Sequence, residues 1–487
     1  MLPYKSLIQL NKESNVSLYV QLCNYFISLI TSGMLQPSDA LPSSRVLSVL
    51  IGISRNTIKL AYEELITQGW AESIERKGLF VLSKLPVVPR AGKIPAFAEP
   101  AQNGSSFTWN NVFKNQPQND NFQKSVLTID DGFPDVRLTP VDLLMREYRS
   151  ISRKFYGKNF LKYGSATGSE RLRSALCAYL SDTRGLSLEP ENIMITKGSQ
   201  MGIYLATQLL LKRGDKIAVG LSNYPSADEI FRYSGAQLVR IPVDEYGMDI
   251  DLLEQQLSTE KIKAVYIIPH HHFPTTVTMS VERRLKLLKL AKEYSFAVIE
   301  DDYDFDFHYN NKPYIPLASI DHNHNVIYIG SITKTFAPAL RVGFLIAEPD
   351  FVRACTSLRQ LIDKQGDSLL EEAFSSLYEN GEMDRHFRKS LKIYQQRRDL
   401  FCDILRSNFS DMISFKIPEG GLAVWSLFDK NINLLHLSQK ASGKGMKIPD
   451  GSFYKNEADN PNGLRLGFAS LNEVEIERCL GLLRALI

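Results

Sequence analysis

The stretch NVIYIGSITKTFAPALRVG, residues 325–343, joins an apolar run to a polar turn that ends on a cation. Val326, Ile327, Tyr328 and Ile329 read as a strand buried on both faces, because β-branched and aromatic residues follow one another without polar alternation. Gly330-Ser331-Ile332-Thr333-Lys334 leaves that strand, and Pro338 with Arg341-Val342-Gly343 marks a turn. A lysine at the end of a buried strand is costly as a free ammonium unless it is paired or covalently engaged, and a Schiff base meets that demand. Ser331, Thr333 and Arg341 supply two hydroxyls and a guanidinium, a set suited to a phosphate dianion. Taken alone, the blander reading, a surface lysine in a Ser/Thr-rich loop, is the stronger.

Outward from this stretch the same grammar repeats. The runs KIAVGL (216–221), AVYIIP (264–269) and FAVIED (296–301) alternate with helix-like segments such as SVERRLKLLKLAKEYS (280–295). Such alternation predicts an α/β domain with a mainly parallel sheet over residues 126–487. In VIEDDYDFDF (298–307) the strand ends on Glu300-Asp301-Asp302-Tyr303, and Asp301 and Tyr303 share one side at i and i+2. Pyridoxal phosphate needs a carboxylate against its ring nitrogen and a hydroxyl near its phenolic oxygen, although acidic runs are also solvated loops or metal sites. Thr196-Lys197-Gly198-Ser199-Gln200 lies between strand-like NIMIT and helix-like MGIYLATQLLLKR, so Ser199 and Gln200 open a helix whose free N–H groups can hold phosphate. Tyr224 follows KIAVGL and can stack on a flat ring or belong to the core. His270, His271 and His272 alternate sides on an extended chain, which argues against one shared metal ion.

Residues 1–82 are dense with helical periodicity of a different kind. In SRNTIKLAYEELITQG (54–69) Ser54 can cap a helix, and Ile58, Ala61, Tyr62 and Leu65 make one apolar face. Arg55, Asn56 and Lys59 start the other face. A short helix ending near Leu50 precedes it, so the pair fits a helix-turn-helix whose second helix offers its first turn to the major groove. WAESIERKGLFVL (70–82) reads as two strands around the basic turn Glu75-Arg76-Lys77-Gly78, a wing whose Gly78 lets the backbone approach a phosphate. These 82 residues hold seven Lys/Arg against six Asp/Glu, so bulk charge does not argue for nucleic acid; the placement of Arg45, Arg55, Lys59, Arg76 and Lys77 at helix starts and the wing does.

Between the two regions, residues 83–125 contain Pro86, Pro89, Pro95, Pro100 and Pro117 among Gly, Asn, Gln and Ser, and read as a linker. The whole chain has 487 residues, 44% hydrophobic and 23% charged, which excludes a lone small module and a disordered composition. No apolar run approaches the roughly 20 residues of a membrane helix, and the first residues lack an export signal. The five cysteines, Cys23, Cys177, Cys355, Cys402 and Cys479, are far apart and odd in number, which fits the reducing cytoplasm better than a disulfide framework.

The string from Leu18 to Val81 resembles the GntR-type winged helix, through Leu41-Pro42-Ser43-Ser44-Arg45, Ser54-Arg55-Asn56-Thr57, Ala61-Tyr62-Glu63-Glu64-Leu65 and Gly78-Leu79-Phe80-Val81. Ser38 and Ala40 stand where that family usually has Gly and Arg. Residues 126–487 resemble the fold-type I aminotransferases in the order of their pieces: Gly-Ser-Gln opening a helix, an aromatic, Asp-x-Tyr, Ser-x-Thr-Lys, then Arg. Gly132-Phe133-Pro134-Asp135, Tyr163-Gly164, His271-His272-Phe273-Pro274-Thr275 and Leu464-Arg465-Leu466-Gly467-Phe468 extend the match. Together the halves resemble the MocR subfamily of GntR regulators. Phe273-Pro274-Thr275-Thr276 replaces the Asn-Pro-x-Gly of aminotransferases, which suits a MocR protein better than an efficient transaminase.

The resemblance implies a multidomain chain: an N-terminal α+β winged helix-turn-helix and a C-terminal α/β fold-type I PLP-dependent aminotransferase-like domain. It implies pyridoxal 5'-phosphate as cofactor, with Lys334 as its Schiff-base residue, Asp301 on the ring nitrogen, Tyr303 on the phenolic oxygen and Tyr224 stacked on the ring. Ser199, Gln200, Ser331, Thr333 and Arg341 would bind phosphate, Tyr163 would reach across from a homodimer partner, and Arg465 would clamp an effector's carboxylate. Arg45, Arg55, Asn56, Thr57, Lys59 and Gly78 would contact promoter DNA. The expected function is a cytoplasmic transcriptional regulator that senses the cofactor, an amine or an amino acid. An aminotransferase with an accessory DNA module stays open as the alternative, and a regulator that has lost the cofactor as a third.

Overall fold

The computed structural model describes residues 3–85, 108, 127–309, 315–320, 324–456 and 458–487. Apart from Ser83, Lys84, Leu85 and Thr108, the stretch read as a linker lies outside the described residues. The chain divides into two compact units, Met1–Gln116 and Pro117–Ile487.

In the first unit, Ser43 Oγ accepts from the Val46 N–H at the start of helix Ser44–Ile51, which ends on Gly52 in the left-handed region at φ 67°. Ser54 caps the next helix, Arg55–Thr67, and its buried face is Ile58, Ala61, Tyr62 and Leu65, the four positions expected from the sequence. That face packs with Leu22, Phe26 and Leu47 in one small core. The Tyr62 hydroxyl donates to the Pro42 carbonyl at 2.6 Å, tying the helix to the turn before its neighbour. Strands Ala71–Ile74 and Gly78–Val81 pair antiparallel around residues 75–77 and form the wing. Ser38 adopts φ 70°, where a Cβ is disfavoured, so the position expected from the resemblance to be glycine has a backbone that favours glycine.

The second unit is built on a seven-stranded sheet in the order Ile193–Thr196, Gly343–Ile346, Val326–Ser331, Ala297–Asp302, Ile262–Ile267, Lys216–Gly220, Gln237–Ile241. Gly343–Ile346 runs antiparallel to both neighbours and the other six strands are parallel. Ile329, Ile299, Val265 and Leu345 are completely buried, because helices cover both faces. Full burial of such a side chain contributes about 1.5–3 kcal/mol. A smaller antiparallel sheet of Ile413–Phe415, Ala423–Phe428 and Gly463–Gly467 packs with the long helix Glu382–Phe409 and helix Glu473–Leu486. No helix among the described residues is long and apolar enough to cross a membrane.

Candidate functional site

The parallel register sets the ends of two strands side by side. Asp301 pairs with Ile329 and Asp302 with Gly330, so Asp301 leaves one strand where Ser331 and then Lys334 leave its neighbour. Lys334 Nζ lies 4.3 Å from the centre of the Phe133 ring and 5.8 Å from that of Tyr303. Burial pushes its amine below the ordinary lysine range, while the Asp131 carboxylate is the largest opposing influence. The Lys334 backbone N–H donates to Ser331 Oγ at 3.1 Å.

Asp301 is buried, and its Oδ2 accepts a 2.6 Å hydrogen bond from the Tyr266 hydroxyl. Its Oδ1 is buried without a hydrogen-bond partner among the described residues. Burial raises this carboxyl to about 7, against the lowering effects of Tyr266 and Lys334. Tyr303 donates to the His271 carbonyl at 2.9 Å and accepts from Arg465 Nη2 at 3.1 Å. Arg465, 2% exposed, also donates through Nε to the Asp131 carbonyl at 2.8 Å and through Nη1 to the Pro274 carbonyl at 3.3 Å.

At the opposite end, Gly198 precedes helix Ser199–Leu210 at φ 79°. A Cβ on Gly198 would fall 2.6 Å from Arg341 Nη2, so only glycine lets that guanidinium lie over the turn. Arg341 donates to the Lys197 carbonyl at 3.2 Å. Ser199 is half-buried and Gln200 exposed, and the Gln200 amide donates to the Tyr224 hydroxyl at 3.1 Å. The Tyr224 ring meets Phe273 edge-on at 5.5 Å. Thr333 is buried and its hydroxyl donates to the Val342 carbonyl at 3.2 Å, so it has only acceptor capacity to offer. Tyr163 is exposed and makes no contact with this constellation.

Several participants carried no local signal. Tyr266 reaches Asp301 from the adjacent strand, and a Tyr in an apolar run is ordinary core. His271 Nδ1 and Asp304 Oδ1 form a fully buried pair at 2.8 Å, next to the carbonyl that holds Tyr303. His272 Nε2 is bonded to the Ser222 carbonyl and His270 Nε2 to Arg284 Nη1, so the three histidines go to three different partners. Thr276, in the turn without the expected glycine, sits at φ 61°.

In the N-terminal unit, Arg55, Asn56 and Lys59 are exposed on the first turns of helix Arg55–Thr67, and Arg45 is exposed on the first turn of helix Ser44–Ile51. Thr57 is less available: its hydroxyl lies 3.0 Å from Ser54 Oγ. Gly78 is exposed at φ 116° with no atom within 4 Å of where a Cβ would be.

A flat phosphorylated heteroaromatic aldehyde fits the second unit on three observations. A buried carboxylate oxygen without a partner among the described residues can accept a ring N–H, an amine of lowered basicity follows the adjacent strand, and a glycine cradle with an arginine opens a helix. Residues 145–483 match the family Aminotransferase class I and II, and residues 18–81 match Bacterial regulatory proteins, gntR family. The aromatic-amino-acid aminotransferase 1 of Thermococcus litoralis is 31% identical over 72% of this chain and 85% of its own. The probable rhizopine catabolism regulatory protein MocR of Rhizobium meliloti is 24% identical over 98% of this chain and 95% of its own. Among solved structures, the α-aminoadipate aminotransferase LysN of Thermus thermophilus, complexed with N-(5'-phosphopyridoxyl)-L-leucine, is 25% identical with a TM-score of 0.69 over 74% of this chain and 92% of its own.

Proposed function

The chain belongs to the aminotransferase class I and II family and is a GntR-family helix-turn-helix regulator fused to that domain, and from this premise we propose that it reads promoter DNA according to the state of the amine at Lys334. The observation that carries the reading is the unpartnered Asp301 oxygen at the end of one strand, beside the strand that leads into Lys334.

Membership in the family implies pyridoxal 5'-phosphate. When bound, it supplies an aldehyde that a primary amine captures and a ring that accepts electron density. In this reading Lys334 offers the capturing amine, its basicity lowered by burial. Asp301 Oδ1 would accept from the ring N–H, while Tyr266 holds Oδ2. The N–H groups opening helix Ser199–Leu210, with Ser199, Gln200, Ser331 and Arg341, would hold the phosphate, whereas the hydroxyl and the backbone N–H of Thr333 both donate to the Val342 carbonyl and leave it no donor to offer. Tyr224 would stack on the ring and Arg465 would take an effector's carboxylate, while Tyr303 could donate to the phenolic oxygen only by giving up the His271 carbonyl that it now bonds.

Residues 1–82 form the reader, 83–125 the connection and 126–487 the sensor. Arg55, Asn56 and Lys59 enter the groove, Arg45 and Gly78 meet phosphates, and Thr57 supports the helix start. Phe155, Leu161 and Tyr163, largely exposed within one short segment, support a homodimer in which Tyr163 reaches the partner's site. Sensing requires that an amine or the cofactor favour one arrangement of the paired readers over another, since equal affinity shifts nothing. The reading places the protein in the cytoplasm with its DNA. Relatives that are regulators over nearly the full chain length leave the pure aminotransferase alternative unfavoured. Borohydride reduction of the cofactor-loaded protein followed by peptide mapping tests the reading: label on Lys334 is expected, and label elsewhere or none contradicts it.

A further inference from the structure

Residues 130–133 frame the Lys334 amine, and one of their two carboxylates is left over. Asp130 is engaged: its Oδ1 accepts from the N–H groups of Gly132 at 2.8 Å and Phe133 at 2.9 Å, and its Oδ2 from Ser470 at 2.6 Å. Those bonds pin the turn. Gly132, at φ 105°, admits no Cβ easily, because one would lie 3.1 Å from Ala423 Cβ and 3.5 Å from Arg465 Nη2. Phe133 then sets its ring 4.3 Å from Lys334 Nζ. Between these fixed neighbours, Asp131 gives its carbonyl to Arg465 Nε at 2.8 Å.

The Asp131 carboxylate, half-buried, makes no hydrogen bond or ion pair among the described residues. It is nevertheless the strongest single charge acting on Lys334, and its field reaches Arg465, Tyr224 and Tyr454 as well. Arg465 does not neutralise it by direct pairing, since the guanidinium is bonded to the Asp131 and Pro274 carbonyls and the Tyr303 hydroxyl. The site therefore presents one tethered cation and one unpartnered anion beside a reactive amine. A half-buried carboxylate gains more from a neighbouring cation than a fully solvated one does, because solvent screens the pair less.

We propose that Asp131 makes this site select effectors that carry a second ammonium group, diamines and basic amino acids, over monoamines of the same length. One amine of the effector takes the place of the Lys334 amine at the cofactor aldehyde, and the other pairs with Asp131; a carboxylate, where present, goes to Arg465. The exchange is balanced without oxidant or reductant, because one amine is bound as the other is released. This inference rests on the reading of Lys334 as the cofactor's anchor.

The test uses full-length protein loaded with pyridoxal phosphate, titrated with 1,4-diaminobutane against butylamine and with L-lysine against L-norleucine while the visible absorption band is followed. Wild-type protein is expected to respond to the doubly cationic member of each pair at about tenfold lower concentration, equivalent to about 1.4 kcal/mol. Asp131→Asn is expected to bring the ratio near one, and Asp131→Ser serves if the asparagine variant does not load. A wild-type ratio near one, or a ratio that survives both substitutions, overturns the inference. A wild-type protein with no visible band overturns instead the reading on which it rests.

Discussion

The Tyr266 hydroxyl and the Asp301 carboxylate, 2.6 Å apart on neighbouring parallel strands, form a buried pair that leaves one carboxylate oxygen for a ligand. Tyr266 has no surface exposure, so its role is to hold the oxygen it does not leave free. Tyr266→Phe is expected to weaken cofactor affinity by about 10–150-fold, the weight of one hydrogen bond to a charged group. Spectrophotometric titration of the cofactor checks this; unchanged affinity would mean Asp301 needs no second partner.

Asp301→Asn should trade stability against binding. With its pKa raised to about 7 by burial, folded Asp301 keeps a proton that the unfolded chain releases near its ordinary 3.8. Its contribution to stability therefore falls as pH rises from about 4 to 7 and is flat above. Cofactor-free Asp301→Asn is expected to gain on the order of 2–3 kcal/mol over wild type between pH 5 and pH 8 in urea unfolding, while its cofactor affinity drops. A difference independent of pH would contradict the assigned cause.

Ser38 and Thr276 occupy left-handed backbone at φ 70° and 61°, a conformation that glycine adopts without a Cβ penalty. Ser38→Gly is expected to stabilise by about 0.5–1 kcal/mol and Thr276→Gly by about 1 kcal/mol or more, since a β-branched residue suffers most there. Thermal or urea unfolding measures both. Destabilisation by either would show that side-chain contacts outweigh backbone strain.

Arg359, fully buried on helix Pro349–Ile362, donates to the carbonyls of Ala166 at 2.9 Å and Ile195 at 2.5 Å and to Asp363 at 3.0 Å. Asp363 in turn pairs with Lys197, one residue before the glycine under Arg341. Arg359→Met is expected to cost about 3–5 kcal/mol by leaving those acceptors unpaired. Arg359→Lys should recover part of the stability yet still loosen cofactor binding, because a single ammonium nitrogen cannot span acceptors that the guanidinium reaches from Nε and Nη1 separately.

Much of this was legible along the chain. The cap and face of helix Arg55–Thr67, the two-strand wing and the buried parallel strands follow from local pattern, because each is decided within a dozen residues. Asp301, Lys334 and Gly198 were legible because strand ends and helix starts announce them. Tyr266, Arg359 and the His271–Asp304 pair were not, since their partners are set by strand order and long-range packing. The same holds for Thr333, whose hydroxyl turns to Val342 rather than outward. Asp130 and Asp131 look equivalent in sequence, and only the bonds to Gly132, Phe133 and Ser470 separate them.

The central claim is that the amine at position 334 is felt by the DNA reader. The direct measurement is fluorescence anisotropy of a DNA fragment selected by this protein from a random pool, titrated with wild-type and Lys334→Ala protein, each with and without pyridoxal phosphate. The account predicts that cofactor changes the DNA affinity of wild type and not of the variant. Equal affinities in all four conditions, with the cofactor demonstrably bound to wild type, would contradict it.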